Sequence, residues 1–326
     1  MSLDSDLIVD RRRMRRKLTF WRVVAVVVAI VAIIAVAGTF GRNGFAEVGG
    51  GQIARVNITG LIRNDRDRVE ALTRLSKASY VHAVIVHIDS PGGTTAGSQQ
   101  LHDALRVVAA KKPTVVVVDG LAASGGYIAA MASDHIIAED TSLVGSIGVL
   151  FQYPNFADLL KTVGVKVETV RSTPLKAAPN GFEPTSAEAT AALDAIVKDS
   201  YAWFREMVQD RRKLTPDQLE KVADGRVFTG RQAIGLKLID QIGDEQTAID
   251  WLAKNKGIDA KLPVRDWRLE PRLSELPFLH AGVVAVLDAA GLRGLARRFA
   301  DTGAVRGVET LNLDGLLALW HPSGAN

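Results

Sequence analysis

No cysteine occurs in the 326 residues. That absence excludes disulfides, a thiolate nucleophile and cysteine metal sites, while leaving the compartment open. There is no internal repeat and no low-complexity tract. Histidine is scarce, with six in the chain. His82 and His87 fall in a strand pattern, His102 in a helical one and His135 at a strand start; His280 and His321 lie near the C-terminus. None sits in a loop motif with acidic support, so histidine is a poor candidate for a general base. Charge is missing from one long stretch: Val23–Phe40 (VVAVVVAIVAIIAVAGTF) has no ionisable side chain.

A run of that length and apolarity approaches the roughly 20 helical residues that cross a bilayer core. Before it stand Arg11, Arg12, Arg13, Arg15, Arg16, Lys17 and Arg22. Positive residues remain on the cytoplasmic side, so the body is expected beyond the membrane. A removable signal peptide cut near Ala35-Val36-Ala37 is an alternative, although the run exceeds the usual signal core. A buried core helix is another, but it leaves the basic cluster unexplained. Residues 1–22 carry seven Lys/Arg and three Asp/Glu; removing these from the chain's 40 and 36 leaves 33 of each sign. The body is thus neutral and shows no nucleic-acid footprint. The basic segment suits anionic lipid headgroups.

The chain is 47% hydrophobic and 23% charged, enough for a packed core. The expected organisation is a basic segment at 1–22, a transmembrane helix at 23–40, a Gly-rich linker at 41–52, a catalytic domain at 53–265 and an extension at 266–326. Within the domain, Ile53–Ile58, Val81–Ile88, Pro113–Val118, His135–Ala138 and Lys166–Val170 read as strands. Val69–Ser79, Thr94–Ala110, Tyr127–Ala132, Phe156–Val163, Ser186–Arg212 and Pro216–Ala223 read as helices. Alternation of this kind implies an α/β fold with a mostly parallel sheet.

Two turns follow buried strands. One is Ser90-Pro91-Gly92-Gly93, whose glycines can present backbone N–H groups to a carbonyl oxygen; it also fits an ordinary strand-to-helix turn. The other is Ala122-Ala123-Ser124-Gly125-Gly126-Tyr127. Small neighbours there let a substrate backbone reach the hydroxyl, and a helix start favours a developing oxyanion. The same serine could be a plain N-cap. Successive strand ends of a parallel sheet lie side by side, where α/β folds place ligands. Lysine can activate a serine when desolvation lowers its pKa. Lys176 lies in Arg171-Ser172-Thr173-Pro174-Leu175-Lys176-Ala177-Ala178-Pro179, an apolar, proline-stiffened loop, though a surface lysine fits equally.

The order SPGG, AASGGY, Gly145-Ser146-Ile147-Gly148-Val149 and a lysine 52 residues after the serine resembles the signal peptide peptidase A family. The segment Ala223-Asp224-Gly225-Arg226-Val227-Phe228-Thr229-Gly230-Arg231-Gln232-Ala233 does too, and the resemblance spans about residues 53–256. Pro174 and Leu175 depart from the glycine and bulky residue frequent before the family's lysine. The resemblance implies a Clp-protease/crotonase-like fold and a Ser-Lys peptidase without cofactor or metal. Ser124 is then the nucleophile and Lys176 the base. Gly93 and Gly125 supply the oxyanion hole, and Ser146 orients the lysine. It further implies cleaved signal peptides as substrates and a ring- or dome-shaped homo-oligomer, with serine and lysine paired either within one protomer or between adjacent ones. The expected location is the cytoplasmic (inner) membrane, with one span, the N-terminus in the cytoplasm and the body on the periplasmic side.

Competing readings are an acyl-coenzyme A enzyme on the same fold, a membrane-protein quality-control protease, and a non-catalytic membrane scaffold. His280–Phe299 suggests an amphipathic helix that packs on the core or on another subunit, or lies at the membrane interface.

Overall fold

A computed structural model describes residues 21–22 and 51–269, and the backbone of 317–319. The chain divides into residues 1–51 and a unit from Gln52 onward. Within the first, Trp21 and Arg22 are helical. The predicted span at Val23–Phe40 and the predicted helix at His280–Phe299 lie outside the described residues. Among the described residues, no helix is long and apolar enough to cross a membrane.

The second unit is built on one sheet. Its strands are β1 (Gln52–Ile62), β2 (Val81–Thr94), β3 (Thr114–Ala123), β4 (His135–Ala138), β5 (Leu143–Gly145), β6 (Val227–Thr229), β7 (Gln241–Ile242), β8 (Val264–Asp266) and β9 (Leu317–Leu319). The main path runs β6-β5-β3-β2-β1-β8. Pairing is parallel throughout except between β5 and β6 and between β2 and β9. The helices are α1 (Arg66–Lys77), α2 (Thr95–Ala109), α3 (Gly125–Ala130), α4 (Ala157–Thr162), α5 (Ala187–Arg212), α6 (Pro216–Glu220), α7 (Gly230–Gly235) and α8 (Glu245–Lys256). This is the expected α/β architecture with a mostly parallel sheet.

The β-branched runs are buried because both faces of the sheet are covered. One face sends Ala54, Val56, Val84, Val86, Val116 and Val118 into a core completed by Leu72, Leu101, Tyr127 and Phe204. The other sends Ile53, Ala83, Ile85, Val115 and Val117 against Ala248 and Leu252 of α8. The odd and even residues of each strand thus serve different layers.

The two glycine-containing turns differ from expectation, because strand geometry runs on through them. β2 continues past Ile88 to Thr94, and β3 continues past Val118 to Ala123. Their late halves find new partners: Leu61 and Ile62 pair with Gly92 and Gly93, and Leu121–Ala123 pair with β5. The predicted strand Lys166–Val170 does not form. Its residues are exposed, and among the described residues no neighbouring strand offers a ladder there. β-branched propensity without a partner does not hold a strand.

Between Leu150 and Glu188 no side chain is buried. This arm includes α4, the Lys176 loop and the start of α5. Only Ala189, Phe204 and Val208 of α5 are buried, so the second half of that helix docks on the body.

Candidate active site

The site begins where β3 ends. The amide of Ser124 donates to the carbonyl of Gly145 at 2.8 Å, and Ala123 pairs with Gly145 in the ladder. Ser146 follows directly, with its amide bonded to the Arg226 carbonyl at 2.8 Å. Chain connectivity therefore brings Ser124 and Ser146 to adjacent strand ends. Both have left-handed backbones, with φ of 53° and 51°. A positive φ is uncommon outside glycine and is held only where surrounding structure enforces it.

Ser124 stands at the N-cap position of α3, but its hydroxyl makes no capping bond. The fold uses side-chain caps elsewhere: Asp65, Thr94, Ser186, Thr215, Thr229 and Asp244 each accept from their own helix. At Ser124 the backbone departs from the extended cap geometry, with ψ of −113°. That releases the hydroxyl from local bonding. The residue is 1% exposed. Behind it, Tyr127 is fully buried and its phenol donates to the Leu238 carbonyl at 2.7 Å. Burial pushes that phenol's pKa well up, keeping it a neutral donor.

The second turn packs against the first. A Cβ on Gly126 would come within 2.6 Å of the Ser90 carbonyl oxygen, so only glycine permits this approach. The Ser90 hydroxyl donates to the Gly60 carbonyl at 2.7 Å and accepts from the Gly92 amide at 3.1 Å. Ser90 thus shapes the turn that presents Gly93. This organising role was missed in the sequence, where a serine two residues before a glycine amide was the available signal. Gly93 is pressed against β1, where a Cβ would sit 1.8 Å from the Ile62 carbonyl oxygen. Gly125 opens α3 immediately after the serine.

Lys176 lies elsewhere, on the arm. Its side chain is exposed, and among the described residues no hydrogen bond joins it to Ser124 or Ser146. The sequence suggested a desolvated loop, but the neighbouring apolar residues do not close over the amine in a single chain: Leu175 is 38% exposed. The loop is nevertheless shaped. Arg171 pairs with Glu183, and Asn180 donates to the same carboxylate at 2.5 Å. The Arg171 bond, then the Asn180 bond, holds the Glu183 pKa below the usual carboxylate value. The amide of Phe156 bonds the Gly181 carbonyl at 2.7 Å, and Ala177, next to the lysine, has φ of 59°.

His87, His102 and His135 occupy the strand, helix and strand start that the sequence suggested, but each has an acidic neighbour that the sequence did not reveal, while His280 and His321 lie outside the described residues. His87 shares the α8 side of β2 with Ala83 and Ile85, and its ring nitrogens lie 2.8 Å from Asp119 and 2.8 Å from Glu245. Glu245 in turn receives two bonds from Arg55, at 2.5 and 2.6 Å. His102 is buried on α2, and His135 stacks on Trp251 with ring centroids 4.5 Å apart. None of the three is hydrogen-bonded to Ser124. Among the described residues, no group of His, Asp or Glu is arranged to hold a metal ion.

The family model for peptidase family S49 matches residues 106–259, and that for Clp protease matches residues 59–139. The two together cover the site turns, the arm and most of the sheet. A putative protease of Synechocystis sp. is 36% identical over 210 residues, covering 64% of this chain and 76% of that protein. The chloroplastic serine protease SPPA of Arabidopsis thaliana is 30% identical over 291 residues, 86% of this chain and 42% of the relative. A putative signal peptide peptidase SppA of Enterococcus faecium is 31% identical, over 59% of this chain and 56% of that one. The chain therefore spans only about half the length of some relatives. The α/β sheet agrees with a Clp protease-like domain, and the chain belongs to peptidase family S49, among its SppA-like members.

Proposed function

We propose that this protein is a membrane-anchored serine endopeptidase in which Ser124 is the nucleophile and Lys176 the base. The observation that carries the reading is the buried Ser124 hydroxyl, left uncapped on a strained backbone beside the Ser90–Gly93 turn. In the reaction, the lysine amine takes the Ser124 proton as Oγ attacks a peptide carbonyl carbon. The amides of Gly93 and Gly125 stabilise the oxyanion. The ammonium returns its proton to the leaving amine as the C–N bond breaks. Water then adds to the acyl carbon as the lysine takes its proton, and the lysine hands that proton to Ser124 Oγ as the acyl C–O bond breaks and the carboxylic acid departs. Ser146 orients the amine.

The base is supplied by a second copy of the chain. Large apolar side chains stand exposed along the arm, including Phe156, Leu159, Val163, Val170 and Phe182. Exposed apolar area on this scale marks an interface. Covering it with a neighbouring body would dry the lysine loop, the condition under which a lysine amine stays neutral. The charge-free run at Val23–Phe40 would anchor the assembly in the cytoplasmic membrane, with the body on the periplasmic side. Cleaved signal peptides left in that bilayer are the substrates this location favours. The quality-control alternative differs only in substrate.

The test uses the full chain in detergent or vesicles with a synthetic signal peptide. Wild type should cleave it, while Ser124→Ala and Lys176→Ala should each be inactive. Mixing the two inactive variants should restore part of the activity, because some interfaces then join an intact serine to an intact lysine. Full activity in either single variant rejects the assignment. Inactive mixtures from well-assembled variants reject the shared site.

A further inference from the structure

The helix that follows Ser124 has few side chains to hold it in place. Four of the six residues of α3 are glycine or alanine, and only Tyr127 and Ile128 are large. All six are buried, but small side chains make few contacts each, so sliding along the helix axis is left for polar bonds to stop. At the start, the Ser124 amide is held by the Gly145 carbonyl. At the end, two arginines hold three successive carbonyls. Arg211 donates from Nε to the Met131 carbonyl at 2.7 Å and from Nη2 to the Ser133 carbonyl at 2.8 Å. Arg106 donates from Nη1 to the Ala132 carbonyl between them, at 3.0 Å. The last carbonyls of a helix have no partner within it and carry partial negative charge, which suits a guanidinium. Arg212, next in sequence, donates to the Lys237 carbonyl at 2.7 Å, beside the Leu238 carbonyl that receives the Tyr127 phenol. The end of α5 therefore grips the tail of α3 directly and steadies the strand that holds its largest side chain.

We infer that Arg211 is a positioning residue for Ser124: its fork sets where α3 stands along its axis, and so where the hydroxyl meets a peptide carbonyl. This rests on the peptidase reading above and adds to it a residue remote from the reacting atoms. Ser124 and Met131 are separated by about 10 Å of helix, a rigid rod that passes any shift at its tail on to its head. Misplacing a reacting group by about 1 Å costs about 100-fold in rate. Lysine is a poor substitute, because an ammonium is a point charge without the planar fork that spans two carbonyls.

The experiment keeps the full chain and compares wild type with Arg211→Lys, Arg211→Ala and Leu252→Ala. Leu252 belongs to the core on the α8 face of the sheet, apart from the one that holds Tyr127 and Ile128, so its variant reports general destabilisation. Each protein is assayed on the synthetic signal peptide well below its own Tm, and its mass is measured by light scattering. Both Arg211 variants should lose about 10- to 100-fold in kcat with KM little changed. Their Ser124 should also react more slowly with a serine-directed phosphonate, at wild-type oligomeric mass. Leu252→Ala should melt earlier and keep its kcat. A polar cavity of about 300 Å³ is lined by Arg106, Met131, Ser133 and Arg211. Guanidinium ion entering it, at concentrations too low to denature, should restore part of the kcat of Arg211→Ala. Should Arg211→Ala fail to fold, Arg211→Lys decides. Wild-type kcat in a folded Arg211 variant overturns the inference and leaves the peptidase reading standing. So does a loss equalled by Leu252→Ala, or one that follows a fall in oligomeric mass. If wild type cleaves no peptide and takes up no phosphonate at Ser124, the peptidase reading fails and the positioning role with it.

Discussion

The backbone at Gly126 lies so close to Ser90 that a methyl group there would come within 2.6 Å of the Ser90 carbonyl oxygen. The two turns of the site are thus registered against each other by one missing side chain. Gly126→Ala forces backbone apart from backbone, since no flexible side chain can yield. Overpacking of this kind costs about 1–3 kcal/mol. The expected result is a lower denaturation midpoint together with impaired hydrolysis, read by urea titration and peptide assay. An unperturbed midpoint would show that the turns are not in contact.

Ser124 separates stability from function. Its φ of 53° and ψ of −113° are costly for a residue with a Cβ. Ser124→Gly should therefore raise stability by about 1 kcal/mol, or roughly 2–4 °C in Tm, while abolishing hydrolysis. A destabilised glycine variant would contradict the strain.

Acid should weaken the fold by way of His102. Burial first of all lowers its pKa from the usual 6.5, against the raising effect of Asp103, with Arg211 and Arg106 lowering it further. The unfolded chain then binds a proton that the native state resists. Stability is full above pH 6.5 and is lost as pH falls toward the lowered native value. His102→Leu should show a smaller Tm loss between pH 7.5 and about 5 than wild type. His135, lowered chiefly by burial as well, should retain part of the slope.

At lower pH the Arg55–Glu245 pair takes over. The Arg55 bond is the main cause of the depressed Glu245 pKa. Its stabilisation is present above the usual carboxylate value of 4.5 and fades as pH drops through the lower native value. Glu245→Gln should cost about 1–2 kcal/mol at neutral pH and flatten the acid limb of the stability curve. Thermal melts across pH 3–7 measure both.

The arm offers a test of assembly apart from chemistry. Phe182 is 59% exposed and Leu159 60% exposed. Replacing both with Asp should leave the body's melting transition in place while lowering the oligomeric mass in light scattering and reducing peptide hydrolysis by about 10-fold or more. A variant of wild-type mass and activity would remove this surface from the interface.

Much of the layout was readable in the sequence because its signals are local. The runs at Val84–Ile88 and Val115–Val118 announce strands covered on both sides, and Ser186 announces the start of α5. The two serine-containing turns were identifiable from their small residues. What escaped was non-local. The pairings Ile62–Gly93 and Ala123–Gly145 turn expected loops into strand, and nothing within either segment encodes its partner. Lys166–Val170 failed for the converse reason, having propensity without a neighbour. The Ser90 hydroxyl and the strand at Leu317–Leu319 matter only through residues distant in the chain. Lys176 was singled out through the family resemblance, and in the single chain its side chain is exposed, away from Ser124.

β3 answers to different neighbours along its length: Val115–Val118 pair with β4, and Leu121–Ala123 pair with β5. The strand is forked at Asp119–Gly120. Drift in the lower prong, where valines meet β4 and α8, need not be transmitted to the upper prong that aims Ser124. Lineages can therefore rebuild the foundation of this sheet while leaving the aim of its hydroxyl untouched.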